Sequence, residues 1–243
     1  MNLPVCTKIK KMKKNKLRIF HFGDTHTYHD LLKVPKDIDI MIFSGDCSNV
    51  KDPYNNEPEV RAFIDWYAAQ KSTYKIFVAG NHDTSIEKNL VKARDFKDNG
   101  IIYLENDFII IEDLKIWGSP FSPTFNDWSF MKARGKMDKL WKHIPEDTDI
   151  LVTHTPAKTI LDLSYDRDRE LEFCGCSSLM KNVIRVKPTF HFFGHIHNCE
   201  NIRNAGIIKV ANLDTTFSNG SVVTDNKFGK LTSHGNTFDI EII

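Results

Sequence analysis

Phe190-His191-Phe192-Phe193-Gly194-His195-Ile196-His197 passes from a short aromatic run to a glycine and two histidines. A brief apolar run that stops at glycine and polar residues reads as a buried strand opening into a loop. His195 and His197 are two apart, so an extended segment puts both imidazoles on one face. Four other stretches repeat the arrangement. Residues 17–22 lead into Gly23-Asp24-Thr25-His26, 38–43 into Ser44-Gly45-Asp46, 75–79 into Gly80-Asn81-His82-Asp83, and 149–152 into Thr153-His154-Thr155-Pro156. Strand-like runs also occur at 109–111, 207–210, 221–224 and 238–243. Between them lie helical patterns: 58–71, with Pro58 near its start and Val60, Phe63, Ile64 and Tyr67 at helical spacing, and weaker ones at 86–97, 135–143 and 177–184. Strands alternating with helices predict a layered α/β fold. Open α/β sheets place their sites at the carboxyl ends of strands, where all five polar stretches stand.

The rest of the composition narrows the class. The chain has 243 residues, 41% hydrophobic and 27% charged, which excludes collagen, coiled coil and wholesale disorder. It is long enough for one large core, and no apolar run approaches the ~18 residues of a membrane span. Five scattered cysteines (Cys6, Cys47, Cys174, Cys176, Cys199) follow no signal-peptide pattern, so a reducing compartment without disulfides is expected. The net charge of +1 conceals an asymmetry. Residues 1–18 hold seven basic side chains and no acid, leaving 26 basic against 32 acidic residues, a net of −6, in the remainder. The basic leader reads as a solvated, disordered arm ahead of a single domain, 19–243. An acidic body argues against a broad nucleic-acid groove and against phosphate binding by side-chain cations alone.

Imidazole and carboxylate are the donors that borderline divalent metals prefer. Asp-x-His and Gly-Asp are weak signals on their own. Gly-Asn-His is expected about 0.04 times in a chain of this composition and Gly-His-x-His about 0.02 times, so their joint occurrence at strand ends marks a site. Five of the ten histidines (His26, His82, His154, His195, His197) sit in these motifs.

The ordered set D-x-H, G-D, G-N-H-[E/D], H, G-H-x-H resembles the signature of the calcineurin-like metallophosphoesterase superfamily, complete here from Asp24 to His197. The resemblance implies a four-layer α/β/β/α sandwich with two metals at the carboxyl ends of the central strands. It implies Asp24, His26, Asp46 and His197 around one metal and Asp46, Asn81, His154 and His195 around the other. Asp46 then bridges, while His82 contacts substrate. Two divalent transition-metal ions are expected, Mn2+ first, with Fe, Zn, Ni and Co as alternatives. Residues 117–126, Arg134-Gly135 and Gly175-Cys176 further resemble the small metallophosphoesterase-domain proteins related to class III cyclic-nucleotide phosphodiesterases. The phosphoprotein phosphatases continue G-D as G-D-x-V-D-R-G. Here Gly45-Asp46 runs into Cys47-Ser48-Asn49-Val50-Lys51, without that arginine.

The function so implied is hydrolysis of small phosphodiesters, a cyclic nucleotide among the candidates, or of phosphomonoesters. The nucleophile is a hydroxide that two cations share, and His82 stabilises or protonates the leaving oxygen. A nuclease of the same superfamily and a non-catalytic scaffold are the rivals; degenerate scaffolds lose ligands, and none is lost here. The expected location is cytoplasmic, or nuclear through the basic leader, with no membrane partner.

Other residues carry bland and functional readings side by side. Asp83 either orients His82 or caps the segment after it. Arg134 reads as a surface residue ahead of a phosphate contact. His21 and His191 read as packed or hydrogen-bonded, and His29 as a minor candidate for lining the site. Cys174, Cys176 and Cys199 read as incidental thiols, since their spacing fits neither a zinc nor a redox pair. Trp117, Phe121, Phe125, Trp128 and Phe130 read as packing, with one aromatic available to stack on a base.

Overall fold

The computed structural model describes residues 15–224 and 231–241. The first half builds strands β1 (Lys16–Phe22) and β2 (Ile38–Phe43), helix α1 (Pro53–Ala69), β3 (Ser72–Phe77), the short helices α2 (Thr84–Glu87) and α3 (Ala93–Asp98), and β4 (Ile102–Tyr103). Next come β5 (Asp107–Ile111), β6 (Leu114–Ser119), the short pair β7 (Ser122–Pro123) and β8 (Met131–Lys132), α4 (Arg134–Trp141) and β9 (Ile150–Thr153). The chain closes with the hairpin β10 (Leu163–Tyr165) and β11 (Leu171–Phe173), α5 (Ser177–Val186), β12 (Phe190–Phe193), β13 (Gly206–Lys209), β14 (Thr216–Asn219) and β15 (Asn236–Glu241).

Two mixed sheets carry the fold, in the orders β15-β1-β2-β3-β4 and β13-β14-β12-β9-β6-β5. Side chains alternate across each strand, so each sheet has two apolar faces to cover. Leu17, Ile19, Ile40, Ile42 and Ile76 of the first sheet face Ile116, Ile150, Val152 and Phe192 of the second. Phe20, Phe22, Met41, Phe43 and Phe77 point the other way, onto Val60, Phe63, Ile64 and Tyr67 of α1 and Phe96 of α3. The outer face of the second sheet sets Trp117, Leu151, Phe193 and Phe217 against Met137 and Trp141 of α4 and Leu179 and Val183 of α5. These three apolar layers make the four-layer α/β/β/α sandwich. Burying each large side chain of the α1 stripe stabilises the fold by about 1.5–3 kcal/mol relative to leaving it in water.

The register levels the strand ends. Phe22 pairs with Phe43, and Phe43 with Phe77, along three parallel strands. The loops that follow therefore leave the sheet at one height. β9 and β12 are also parallel, with Val152 opposite Phe192. At this end the sheets meet: Gly23 N–H donates to the Gly220 carbonyl at 2.9 Å.

Several element boundaries differ from expectation. α1 opens at Pro53 rather than Pro58, because Asp52 accepts from Asn55 N–H and Pro53 fills the first turn, where its missing N–H costs nothing. Pro58 lies inside the helix. The pattern at 86–97 is two helices, since Asn89 turns left-handed at φ 58° and ends the first. Residues 221–224 form only isolated bridges, and the paired strand is Thr216–Asn219. β6 has no counterpart in the expected strands because Lys115 and Gly118 interrupt its apolar pattern. Gly118 is required by packing, for a Cβ there would sit 2.6 Å from Leu104 Cβ and 2.8 Å from Val78 Cγ2. β1 begins at Lys16, so residues 16–18 of the expected leader are strand, paired with β15. Residues 1–14 of that leader lie outside the described residues, as do Cys6 and the last two residues of the strand expected at 238–243. Among the described residues no helix is long and apolar enough to cross a membrane.

Candidate metal centre

All five polar stretches converge at the carboxyl ends of β1, β2, β3, β9 and β12. They bring together Asp24, His26, Asp46, Asn81, His154, His195 and His197, with His82 beside them. Three overlapping groups have donor atoms within 4.8 Å of one another: Asp24, His26 and His197; His26, Asp46 and His82; Asp46, His154 and His195. Asp46 stands between the two sides. Its Oδ2 is 3.8 Å from His26 Nε2 and 3.3 Å from His154 Nε2.

Backbone contacts decide which ring nitrogens face the centre. His26 Nδ1–H donates to the Ser48 carbonyl at 3.1 Å, and His154 Nδ1–H to the Ser44 carbonyl at 2.9 Å. Both Nε2 atoms are thereby turned inward. His26 Nε2 lies 3.3 Å from His197 Nε2, which is itself 3.2 Å from Asp24 Oδ1. His154 Nε2 lies 3.1 Å from His195 Nδ1 and 2.9 Å from Asn81 Oδ1. Two ligands about 2.1 Å from one cation stand roughly 3.0–3.4 Å apart at octahedral or tetrahedral angles, so both imidazole pairs have the spacing of neighbours on a metal. The donor set, imidazole nitrogens and carboxylate and amide oxygens, is that of a borderline divalent ion.

The electrostatics agree. Burial holds His26 down to about 4 and His195 down to about 3, so both are neutral donors at pH 7. Burial also acts to lower His154, but the neighbouring Asp46 and Asp24 carboxylates outweigh it and push this group up to about 9. Burial alone would raise Asp46; His154 and His82 instead hold it well below the usual carboxylate range. The shifts of His154 and Asp46 have one cause: buried carboxylates crowded at this point favour a positive charge beside them.

His82 sits at the mouth of the centre. Its ring stacks on Trp128 at 3.9 Å between centroids, meets the edge of His26 at 4.6 Å, and contacts the Asn49 carbonyl through Nδ1 at 3.3 Å. Of the aromatic cluster, Trp128 thus packs on a site residue. A cavity of about 420 Å3 opens here, lined by Asp46, Asn81 and His82 together with Phe125, Arg134, Tyr165, Glu172 and Cys174. Arg134 is exposed, as expected, and also lines this cavity, where it donates to the carbonyls of Gly175 (3.3 Å) and Cys174 (3.4 Å). A larger, more open groove of about 880 Å3 lies at the amino ends of β2 and β3, remote from the histidines.

Other residues resolve by packing. His21 stacks on Phe192 and bonds Ser218 and Ser44, and His191 bonds Thr153 Oγ1 at 2.8 Å; both are structural. His29 packs on Phe63 and Trp66, away from the centre. Cys176 is buried beside Trp141 Nε1, whereas Cys174 reaches the cavity wall. Asp83 takes neither expected role: it makes no side-chain capping bond and instead accepts donors from the Asp46 loop. Ser221 escaped the sequence reading altogether. Its Oγ donates to Asp24 Oδ2 at 2.6 Å, and His195 N–H donates to the same carboxylate at 3.0 Å. A lone serine in a loop gives no sequence signal for this role.

Comparison with known proteins gives the same family. The profile of the calcineurin-like phosphoesterases matches residues 17–199. Human "Metallophosphoesterase domain-containing protein 1" is 30% identical over 228 residues, covering 84% of this chain. The match covers 65% of the human protein, so the chain spans slightly less than two thirds of that relative's length. A UPF0046 protein of Caenorhabditis elegans is 31% identical over 242 residues, covering 90% of this chain and 82% of its own. One solved structure superposes with a TM-score of 0.62 at 13% identity, over 94% of this chain and all of that one, which speaks to the fold alone. Profile, relatives and strand-end residues lead to one conclusion: the chain belongs to the calcineurin-like phosphoesterase family.

Proposed function

We propose that the protein is a metal-dependent hydrolase of small phosphoesters, phosphodiesters foremost. Asp24, His26, Asp46 and His197 would hold one divalent transition-metal ion, and Asp46, Asn81, His154 and His195 a second. The observation that carries this reading is the pair of converging imidazole couples on either side of Asp46, at 3.3 Å and 3.1 Å. When bound, two such cations supply charge against the phosphoryl oxygens and a water acidified to near neutral pH. The protein's own groups supply the rest. Asp24 is fixed by Ser221 and His195 N–H, and Asp46 Oδ1 by the His82 N–H at 2.7 Å, so neither carboxylate must reorganise to bind. With Nδ1–H given to the Asn49 carbonyl, His82 keeps Nε2 to face a leaving oxygen; in the imidazolium form Nε2–H would deliver the proton and leave the ring neutral, Nδ1 still bonded to Asn49.

The cavity suits a small substrate, since ligand pockets run to about 300–1,000 Å3. Among the described residues lining it, Arg134 is the sole permanent cation, and the lining also holds the Glu172 carboxylate. Small diesters, which carry one negative charge, therefore fit better than phosphoprotein surfaces. The test is a manganese-supplemented panel of bis(p-nitrophenyl) phosphate, p-nitrophenyl phosphate, cyclic nucleotides, single-stranded DNA and a phosphoprotein, with a chelator control. Chelator-sensitive turnover of the aryl diester is expected. A metal-loaded protein that hydrolyses none of the panel, or that prefers the phosphoprotein, would overturn the reading.

A further inference from the structure

Asp83 is fully buried and does not line the cavity at the centre, yet its carboxylate accepts six close donors there. Oδ1 accepts from Cys47 N–H (3.0 Å), Cys47 S–H (3.1 Å), Ser48 N–H (3.2 Å) and Ser48 O–H (2.8 Å). Oδ2 accepts from Asp46 N–H (3.0 Å) and Gly80 N–H (2.8 Å). A carboxylate offers about four lone-pair sites, so six donors leave nothing for a metal or a substrate. The successive N–H groups of Asp46, Cys47 and Ser48 form a concavity closed on one anion.

The donors are the loops that carry the site. Asp46 adopts φ 60°, a left-handed conformation uncommon outside glycine, and its N–H is held by Asp83 in that state. The Ser48 carbonyl, fixed through the same loop, receives Nδ1–H of His26. Gly80, tied from the other side, directly precedes Asn81. One buried carboxylate thus ties together the backbone behind Asp46, His26 and Asn81, which the proposed function divides between two cations.

We propose that Asp83 is a positioning residue that sets Asp46 astride both cations, so that binding of the second ion depends on a carboxylate touching neither. The inference rests on the binuclear reading. Asparagine in this place has a single acceptor oxygen, and its amide nitrogen meets N–H donors in either orientation, toward Gly80 and Asp46 or toward Cys47 and Ser48.

The experiment titrates metal-free wild type and Asp83→Asn with Mn2+, following ion uptake by calorimetry and the coupled-pair signal by electron paramagnetic resonance. Groups behind metal ligands typically control affinity by about 10–100-fold, and a loss of that size at the second site is expected, with the coupled signal replaced by that of isolated ions. Full second-site affinity in a folded Asp83→Asn would overturn the proposal. Should that variant fail to fold, amide hydrogen exchange on metal-free wild type decides. Asp46, Cys47, Ser48 and Gly80 N–H should already be protected, and protection appearing only after Zn2+ is added would show that the cation, not Asp83, shapes the loop. A wild type that binds fewer than two ions overturns the binuclear reading itself, whatever Asp83→Asn does.

Discussion

His82→Ala separates metal binding from chemistry. The hydrogen bonds that fix the His82 backbone do not involve its ring: its N–H donates to Asp46 Oδ1 at 2.7 Å, and its carbonyl accepts from Asn56 Nδ2 at 2.9 Å and Thr84 N–H at 2.8 Å. Alanine keeps all three. What disappears is the imidazole, with its stack on Trp128 and its Nδ1 contact to Asn49. The ring is only partly buried, so the cost in stability should stay near about 1 kcal/mol or below. Proton delivery to a leaving oxygen contributes about 10²–10⁴-fold, equivalent to roughly 2.7–5.5 kcal/mol in the barrier. That loss is expected in kcat for an alkyl phosphodiester, whose alkoxide needs a proton. p-Nitrophenolate departs without one, so bis(p-nitrophenyl) phosphate should lose far less. The assay compares both substrates and counts bound metal by elemental analysis. Equal losses with metal intact would refute proton delivery and leave His82 to position phosphate. A His82 ring nitrogen lies within 4.8 Å of the Asp46 and His26 donor atoms, so a fall in metal content would reassign His82 as a ligand.

Four further outcomes are expected. Asp46→Asn should be the most damaging ligand change, since it weakens both cation sites at once; elemental analysis showing two retained ions would contradict the bridging role. Gly80→Ala should also strip metal, because a Cβ there would collide with the Asp46 carboxylate and lie 2.7 Å from His154 Cε1; unaltered Mn2+ uptake would show that the site yields more than the packing allows. Phe63→Ala should destabilise by about 3–5 kcal/mol in urea, since Phe63 is fully buried among Phe22, Phe43 and Phe77; a loss under about 2 kcal/mol would mean α1 collapses onto the gap. Burial holds His191 down to about 3, so unfolding lets it bind a proton that the native state refuses. Its contribution is complete above the unfolded value of about 6.5 and is lost as pH falls toward 3; His191→Gln should flatten the fall in stability by up to one proton, about 1.4 kcal/mol per pH unit, and an unchanged slope would refute the assignment.

The fold was legible where a strand is buried on both faces. Residues 38–43 and 190–193 are apolar runs broken only by Asp39 and His191, because one face meets the opposing sheet and the other a helix, and their limits agree with β2 and β12. β6 hides its periodicity because Gly118 replaces a side chain where Leu104 and Val78 leave no room for a Cβ, a tertiary demand that no local pattern announces. The start of α1 was readable in Asp52-Pro53, a capping residue followed by a first-turn proline, but Pro58 offered a competing signal five residues later. At 216–224 propensity misled: the sheet takes Thr216–Asn219, and the next residues leave it to bring Ser221 to Asp24.

The centre divides along the same line. Residues that would touch metal announce themselves, because few side chains can ligate and the motifs space them from glycine-ended strands. Residues that hold those ligands still do not, because any donor or acceptor that the fold brings within 3 Å will serve. Asp24 shows the contrast: Asp-x-His marks the carboxylate, while Ser221, 197 residues further along, holds it at 2.6 Å. Asp83 is the intermediate case. Its place after Gly-Asn-His made it visible, and its local alternatives, capping or orienting His82, were the wrong ones. Its partners are Cys47 and Ser48 on the neighbouring strand's loop, and only the parallel register of β2 and β3, with Phe43 opposite Phe77, brings that loop against it. Sequence spacing therefore locates the atoms for chemistry, while strand register determines how rigidly they are held.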